Sequence, residues 1–226
     1  MSKSSQKRRV TISETKFPAV VEFSKLAQQW RADVSTTLLT FVWGAYDILK
    51  KEVLVGIDVK KTDADLEREI SQLLEPRIRR LMSGDEPYFV QHGSYERERR
   101  QPPPAQPPQY DIAFVLNANP RVMWPLEAKL LRKSVTTSKY VQEIRANYLT
   151  CRYAPFSAEA AMLAYLLSGD AERALQRIGV GLRCKLRPNA SFPQRPHRIS
   201  KHTRRVPKGK SYQRNFLCHH MIMSLS

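Results

Sequence analysis

Two long segments near the amino terminus have apolar residues at helical spacing. In residues 17–51, apolar side chains recur at steps of three and four and fall near one face. The second segment opens with Thr62-Asp63-Ala64-Asp65, where a capping hydroxyl is followed three residues later by a carboxylate, and it continues to about Met82. We predict a helix over each segment. Residues 53–59, between them, are apolar and β-branched and suit either a short strand or the end of the first helix.

Shorter apolar runs in the middle of the chain predict three strands. These are residues 88–92, 111–116 and 122–131, and the turn residues at 117–120 join the last two. Residues 101–108 contain five prolines in eight positions, which predicts a loop. Pro125 lies inside the third predicted strand, where proline cannot donate a ladder hydrogen bond, so we expect a bulge or a sheet edge there.

The carboxyl-terminal half alternates between helical and extended patterns. Its order favours an α/β sandwich with a central mixed β-sheet flanked by helices. The predicted elements are helices over residues 138–152, 158–167 and 170–178, a strand over 180–186, a basic loop over 188–210 and an apolar element over 216–225. We expect residues 1–15 to form a disordered basic arm and residues 16–226 to form a single domain with a basic carboxyl-terminal segment at about 187–214.

The charge of the chain points to an anionic partner. Thirty-eight Lys and Arg against 21 Asp and Glu give a net charge of +17, and no acidic residue follows Glu172. Nucleic acid is the usual partner of such a surface, and an anionic membrane is the alternative. No apolar run is long enough to span a bilayer, so we expect no membrane insertion. Three scattered cysteines predict no disulfide framework, which fits a reduced, cytoplasmic setting.

Candidate chemistry concentrates at the second and third predicted strands. Asp111 heads one strand, and Glu127-Ala128-Lys129 lies toward the end of the next. Adjacent strands would bring the two carboxylates together, and carboxylates are ligands for Mg²⁺. Glu127 and Lys129 share a strand face by the period of two, while the small Ala128 points toward the core. The carbonyl of Ala128 is a candidate third oxygen ligand, and Lys129 can orient or deprotonate a water molecule.

An upstream acid completes the predicted site. In the helix that starts near Asp65, Glu67 lies near the edge of the apolar face and Glu69 lies further toward solvent. We therefore favour Glu67 as a fourth catalytic group. Both acids also suit plain helix amino-terminal positions, where the helix dipole favours negative charge.

These residues resemble the PD-(D/E)XK nuclease superfamily. Asp111, Glu127-Ala128-Lys129 and an upstream helical glutamate look like its motif, with Tyr110 rather than Pro before Asp111. The resemblance implies a restriction-endonuclease-like fold and a Mg²⁺-dependent deoxyribonuclease, with Mn²⁺ as a substitute metal. Segments further downstream look like uncharacterised bacterial members. That looser resemblance implies a role in phage defence, and it leaves open a homodimer or an operon-encoded partner protein.

Basic and polar residues downstream of the motif are candidates for binding the DNA backbone, with RNA as an alternative. Gln142 lies on the helix after the motif, where it could touch phosphate or be an ordinary exposed glutamine. Ser200-x-His202-x-Arg204 suits a strip of phosphate contacts. The other candidates in the basic segment are Arg198, Lys201, Arg205, Lys208 and Lys210.

Two plainer interpretations compete with this one. Glu127 and Lys129 also suit an ordinary cross-strand pair, and Asp111 suits a turn residue at the start of a strand. The chain would then be a non-catalytic nucleic-acid-binding subunit of a larger complex. Neighbouring His219 and His220 match no zinc spacing, and we expect one to be packed and the other exposed.

Overall fold

The structure is a computed structural model that describes residues 32–52, 60–97 and 107–225. Within these ranges the chain forms a seven-stranded mixed β-sheet with helices on both faces, which confirms the predicted α/β class. The predicted arm, residues 17–31 of the first predicted helix, residues 53–59 and most of the proline-rich loop lie outside the described residues. The strands are β1 (Tyr88–His92), β2 (Ile112–Leu116), β3 (Met123–Leu131), β4 (Glu159–Leu166), β5 (Arg187–Pro188), β6 (His197–Thr203) and β7 (Asn215–Ser224).

The sheet has a parallel centre between two antiparallel edges. Its strand order is β1-β2-β3-β4-β7-β6-β5. β1, β2 and β3 pair antiparallel, β4 is parallel to both β3 and β7, and β6 pairs antiparallel with β7 and β5. The hairpin β2–β3 is therefore the junction between an antiparallel edge and the buried parallel centre.

Four α-helices cover the two faces of the described sheet. α1 (Ala32–Glu52) and α2 (Asp63–Leu81) pack on one face, and α3 (Ser138–Glu143) and α4 (Ala171–Leu182) pack on the other. α3 runs directly into a π-helical turn, Ile144–Tyr148. The predicted start of α2 is confirmed, because the Thr62 hydroxyl accepts a hydrogen bond from the Asp65 N–H at 3.2 Å. No helix in the described ranges is long and apolar enough to cross a bilayer.

The predicted helix over residues 158–167 is wrong, because this segment forms β4. Its side chains alternate between the two cores: Ala161, Leu163 and Tyr165 pack toward α1 and α2, and Ala160 and Met162 pack toward α3 and α4. A strand with parallel neighbours on both sides is buried on both faces, so its sequence is continuously apolar and shows no alternation. Tertiary context therefore overrides the helix propensity of its alanines.

Two further predictions in the carboxyl-terminal half are corrected. The predicted strand over residues 180–186 is wrong, because α4 continues to Leu182 and ends at Arg183 in the left-handed conformation, with φ of 57°. The predicted basic loop over residues 188–210 contains β6, which pairs with β7 along its whole length. Hydrogen bonding to β7 organises this basic segment although it has no strong apolar alternation.

Pro125 lies in neither a bulge nor an edge strand. It is opposite Ala113 in the β2–β3 ladder, and pairing with β4 begins only at the next residue, Leu126. The Val122 carbonyl accepts from Leu116 on β2, so by alternation the nitrogen of Pro125 faces away from β2. Proline is accommodated because its missing N–H falls just before the parallel ladder starts.

Candidate active site

The end of the β2–β3 ladder brings the predicted carboxylates together. The last backbone pair is Ile112 with Leu126, and one register step further Asp111 lies opposite Glu127. There the Asp111 side chain replaces the backbone acceptor, because Asp111 Oδ2 accepts a hydrogen bond from the Ala128 N–H at 2.7 Å. A carboxylate thus terminates the ladder beside the Glu-x-Lys motif.

The β3 pleat separates the motif side chains as the sequence predicts. Ala128 packs in the core beneath α1 and α2, together with Leu126 and Leu130. Glu127 and Lys129 alternate with these residues and face the α3 side of the sheet. Glu127 is only 5% exposed, and the Lys129 side chain is 15% exposed. Both ionisable groups therefore lie in a largely dry environment.

The Lys129 ammonium is surrounded by oxygen atoms. Its Nζ donates to Glu127 Oε1 at 2.8 Å and to the Ala128 carbonyl at 2.8 Å. Glu67 Oε2 lies 3.7 Å away and Glu143 Oε2 lies 3.9 Å away. This ammonium occupies the position of a cation among the oxygens that the sequence nominates as metal ligands.

The structure brings Glu67, and not Glu69, to the site. Glu67 Oε1 accepts a hydrogen bond from the Leu130 N–H at 2.7 Å, which holds its carboxylate against β3. Glu69 instead forms an ion pair with Lys61 at 2.8 Å on the outer surface of α2. The two acids are therefore a natural pair of test and control positions.

Glu143 is a fourth acid at the site that the sequence analysis missed. It is the last residue of α3, and its Oε1 accepts a hydrogen bond from Asn147 Nδ2 in the π-helical turn. π-Helical turns are often found at functional sites. The signal in the sequence was an acid on the first helix after the motif strand. The neighbouring Gln142, predicted as a phosphate contact, is exposed.

Three tyrosines form an aromatic wall beside the acids. The ring centroids of Tyr110 and Tyr153 lie 4.9 Å apart, and those of Tyr148 and Tyr153 lie 5.5 Å apart. The Tyr110 hydroxyl donates to the buried carboxylate of Glu96. Burial, with the nearby charge of Glu127, raises the pKa of Tyr148 and Tyr153, so both phenols stay neutral at physiological pH.

The charged forms of the acids at the site are energetically unfavourable because the carboxylates are buried close together. Burial raises the pKa of Asp111 and of Glu67, although Lys129 partly offsets the effect in each. Burial and the neighbouring Asp111 carboxylate raise the pKa of Glu127 well above its usual range. Burial lowers the pKa of Lys129, but the carboxylates of Glu127, Asp111 and Glu67 outweigh it and raise that pKa overall. Lys129 is therefore protonated, and an additional cation would relieve the acids.

The donor chemistry of the site fits a divalent cation. Glu127 Oε2 is buried and has no hydrogen-bond partner among the described residues. Such an oxygen costs free energy unless a cation or donor reaches it. No group of three or more His, Cys, Asp or Glu side chains within the described ranges is arranged to hold a metal ion. The predicted ligand set is smaller, with two carboxylates, Asp111 and Glu127, and the Ala128 carbonyl.

The structure separates the predicted nucleic-acid contacts into buried, paired and exposed side chains, and two of the exposed ones, Gln142 and Arg205, line one cleft. Arg204 is a correction, because it is 1% exposed and donates to the carbonyls of Gln213 and Ala154, both at 2.7 Å. Arg198 is paired with Glu172 at 2.7 Å, and His202 shares a hydrogen bond with Ser200 at 2.7 Å. The side chains that remain exposed are Gln142, Lys201, Arg205 and Lys208, and Lys210 lies over the Tyr212 ring.

The expectation for the adjacent histidines is wrong, because His219 and His220 are both buried. β7 lies between β4 and β6 and is covered on both faces, so successive side chains enter opposite cores. His219 Nδ1 lies 3.1 Å from His197 Nε2, and His220 Nε2 lies 2.7 Å from Ser200 Oγ. These histidines serve internal hydrogen bonding.

Comparison of the chain with protein-family models, with curated proteins and with solved structures finds no match.

Proposed function

We propose that this protein is a metal-dependent nuclease that hydrolyses phosphodiester bonds of DNA, with Mg²⁺ as cofactor and Mn²⁺ as a substitute. One observation carries the proposal. The motif residues, far apart in sequence, converge on one point at which buried acids surround a single ammonium. Acidic side chains whose pKa values are strongly shifted and that cluster with a specific charged partner are typical of functional sites.

We also infer a restriction-endonuclease-like arrangement. α2, the antiparallel unit β1–β2–β3, α3 and the parallel strand β4 follow one another along the chain. The motif acids lie at the end of the β2–β3 hairpin, and α2 and α3 each contribute one further glutamate. This order supports the resemblance carried by the motif.

The residues of the site have separable roles in the proposed reaction. Asp111, Glu127 and the Ala128 carbonyl would hold the metal ion, which when bound supplies Lewis-acid stabilisation of the phosphoryl oxygens and a more acidic water. Lys129, being protonated, orients the attacking water and neutralises charge on the phosphate rather than accepting a proton. Glu67 and Glu143 hold the ammonium of Lys129 in position from two sides.

Purified protein is incubated with labelled duplex DNA, single-stranded DNA or RNA and with Mg²⁺ or Mn²⁺. We expect wild-type protein to cleave DNA and the Asp111→Ala and Lys129→Ala variants to lose cleavage by at least about 100-fold, the usual scale for a lost electrostatic group. Glu67→Gln should reduce the rate, whereas Glu69→Gln, on the same helix, should leave it unchanged.

The variants should still bind DNA, because their substitutions remove no exposed basic patch. Circular dichroism and DNA binding in EDTA show whether each variant remains folded. Absence of cleavage of every substrate by wild-type protein, or full activity in folded Asp111→Ala protein, would refute the nuclease proposal.

One observation favours the non-catalytic alternative. Lys129 contacts Glu127 and the Ala128 carbonyl at the same time, so the cluster is already partly neutralised within the protein. If the cluster is only structural, the Asp111→Ala substitution should change the stability of the protein and leave its nucleic-acid binding intact. The cleavage assay separates the two candidates.

A further inference from the structure

An open cleft lies between α3 and α4 on the side of the sheet that carries Glu127. Its volume is about 650 Å³, within the range of ligand pockets. Gln142 of α3 and Arg145 of the π-helical turn that follows it line one wall, Arg177 and Val180 of α4 line the other, and Val135 and Arg205 also contribute.

The lining of the cleft is basic and contains no acid. Arg145, Arg177 and Arg205 have exposed side chains, and none of the three pairs with a carboxylate among the described residues. Arg145 Nη2 donates to the Gly181 carbonyl at 2.5 Å and so fixes its guanidinium across the two helices. Three uncompensated guanidinium groups around one recess favour a chain of phosphates.

The cleft also exposes apolar surface. Val180 is 73% exposed and Val135 is 44% exposed, next to the arginines. A duplex presents phosphates on its outside and keeps its bases stacked within, so it would leave these side chains uncovered. An unpaired strand offers phosphates to the arginines and base and sugar surface to the valines, and guanidinium planes can also stack on bases.

The cleft and the acidic site flank the same helix. Glu143 projects from the end of α3 toward Lys129, while Gln142 of α3 and Arg145 of the continuous π-helical turn line the cleft. The width of a helix with its side chains, about 10 Å, separates the two. A flexible strand held in one can therefore continue into the other.

We propose that the α3–α4 cleft binds an unpaired segment of nucleic acid and delivers it to the acidic site. This inference rests on the proposed nuclease function for the identity of that site. It moves the main phosphate contacts from residues 198–210 to Arg145 and Arg177, and it retains Arg205.

The test measures binding of the whole protein to a fluorescent single strand of about 16 nucleotides, and to the matching duplex, in EDTA over a series of salt concentrations. We expect Arg177→Ala and Arg205→Ala each to weaken single-strand binding and to reduce the slope of log affinity against log salt by about 0.7. Arg80→Ala removes an exposed arginine at the far end of α2 and should change neither quantity.

Two results would overturn the inference: unchanged slopes in both cleft variants, or an equal loss for duplex and single strand. The result for the nuclease proposal is separate. Reduced salt slopes in the cleft variants, without Mg²⁺-dependent cleavage by wild-type protein, would support single-strand binding in the cleft and refute the nuclease proposal. Cleavage by wild-type protein, with unchanged salt slopes in the cleft variants, would support the nuclease proposal and refute the role of the cleft.

Discussion

A carboxylate as deeply buried as that of Glu127 destabilises the folded protein when it is charged. Removing the charge from water is costly, and the Asp111 carboxylate adds repulsion that Lys129 does not fully offset. One oxygen of Glu127 also lacks a hydrogen-bond partner among the described residues. Natural proteins keep such groups at functional sites, where the strain is relieved by a ligand.

The pH dependence of stability tests this view of Glu127. The folded state keeps the Glu127 proton to a higher pH than the unfolded chain, whose ordinary pKa is 4.5. The folded state therefore binds more protons above that value, and the contribution of Glu127 to stability falls as pH rises. We expect Glu127→Gln to raise the free energy of unfolding at pH 7 in the absence of metal and to change it much less at pH 4.

Urea unfolding of wild-type and Glu127→Gln protein at both pH values checks this prediction. Glu69→Gln is the control, since Glu69 lies on the surface with Lys61. A loss of stability at pH 7 in the Glu127 variant would show that the ion pair with Lys129 outweighs burial.

The basic residues show why residue type alone does not identify a phosphate contact. Arg204 and Arg205 are neighbours and look equivalent in sequence. After β6, the Arg204 guanidinium lies over the Phe216 ring, 4.9 Å from its centroid, and donates to the buried Ala154 carbonyl. The Arg205 side chain is exposed to solvent. Which of two adjacent arginines is exposed depends on tertiary packing, which the sequence pattern does not contain.

At the scale of elements, the hairpin that carries the motif was closely predictable, as was β1, whose bounds match the predicted strand over residues 88–92. β2 and β3 begin within one residue of their predicted starts, because the turn residues at 117–120 and the Asp at the strand head mark the ends of two apolar runs. β4 was not predictable in this way. A central strand covered on both faces has no polar side, so its eight residues look the same as a buried helix.

The packing of α3 against α4 makes an element-scale prediction. A Cβ atom on Gly181 would lie 2.8 Å from Cγ2 of Val141, so any larger residue there requires the Val141 side chain or one of the helices to shift. We expect Gly181→Ala to push the helices apart and to lower the free energy of unfolding by about 1–3 kcal/mol. Chemical denaturation measures the change.

Val180→Ala is the matched control for that substitution, because Val180 is on the same helix and largely exposed. Its effect should stay within about 0.5 kcal/mol. Equal effects at the two positions would contradict the close helix contact.

At the scale of the whole molecule, the basic surface and the acidic candidate site carry charges of opposite sign. A net charge of +17 attracts a polyanion from any direction, yet the proposed chemistry takes place among buried acids that repel phosphate. A divalent cation bound at the acids, as proposed above, would add to the partial neutralisation by Lys129 and reduce that repulsion. The arginine-lined cleft then supplies local attraction next to the site, while the remaining basic surface supplies general affinity that falls with salt.

The central claim is that the acids at the end of the β2–β3 hairpin bind a divalent cation. Calorimetric titration with Mn²⁺, at pH 7, tests it most directly when wild-type protein is compared with Glu127→Gln. We predict a saturable heat in the wild type and an affinity at least about 10-fold lower in the variant, the scale of lost metal-site contacts. Absence of a saturable heat in wild-type protein, or equal affinity in the two proteins, would contradict the claim.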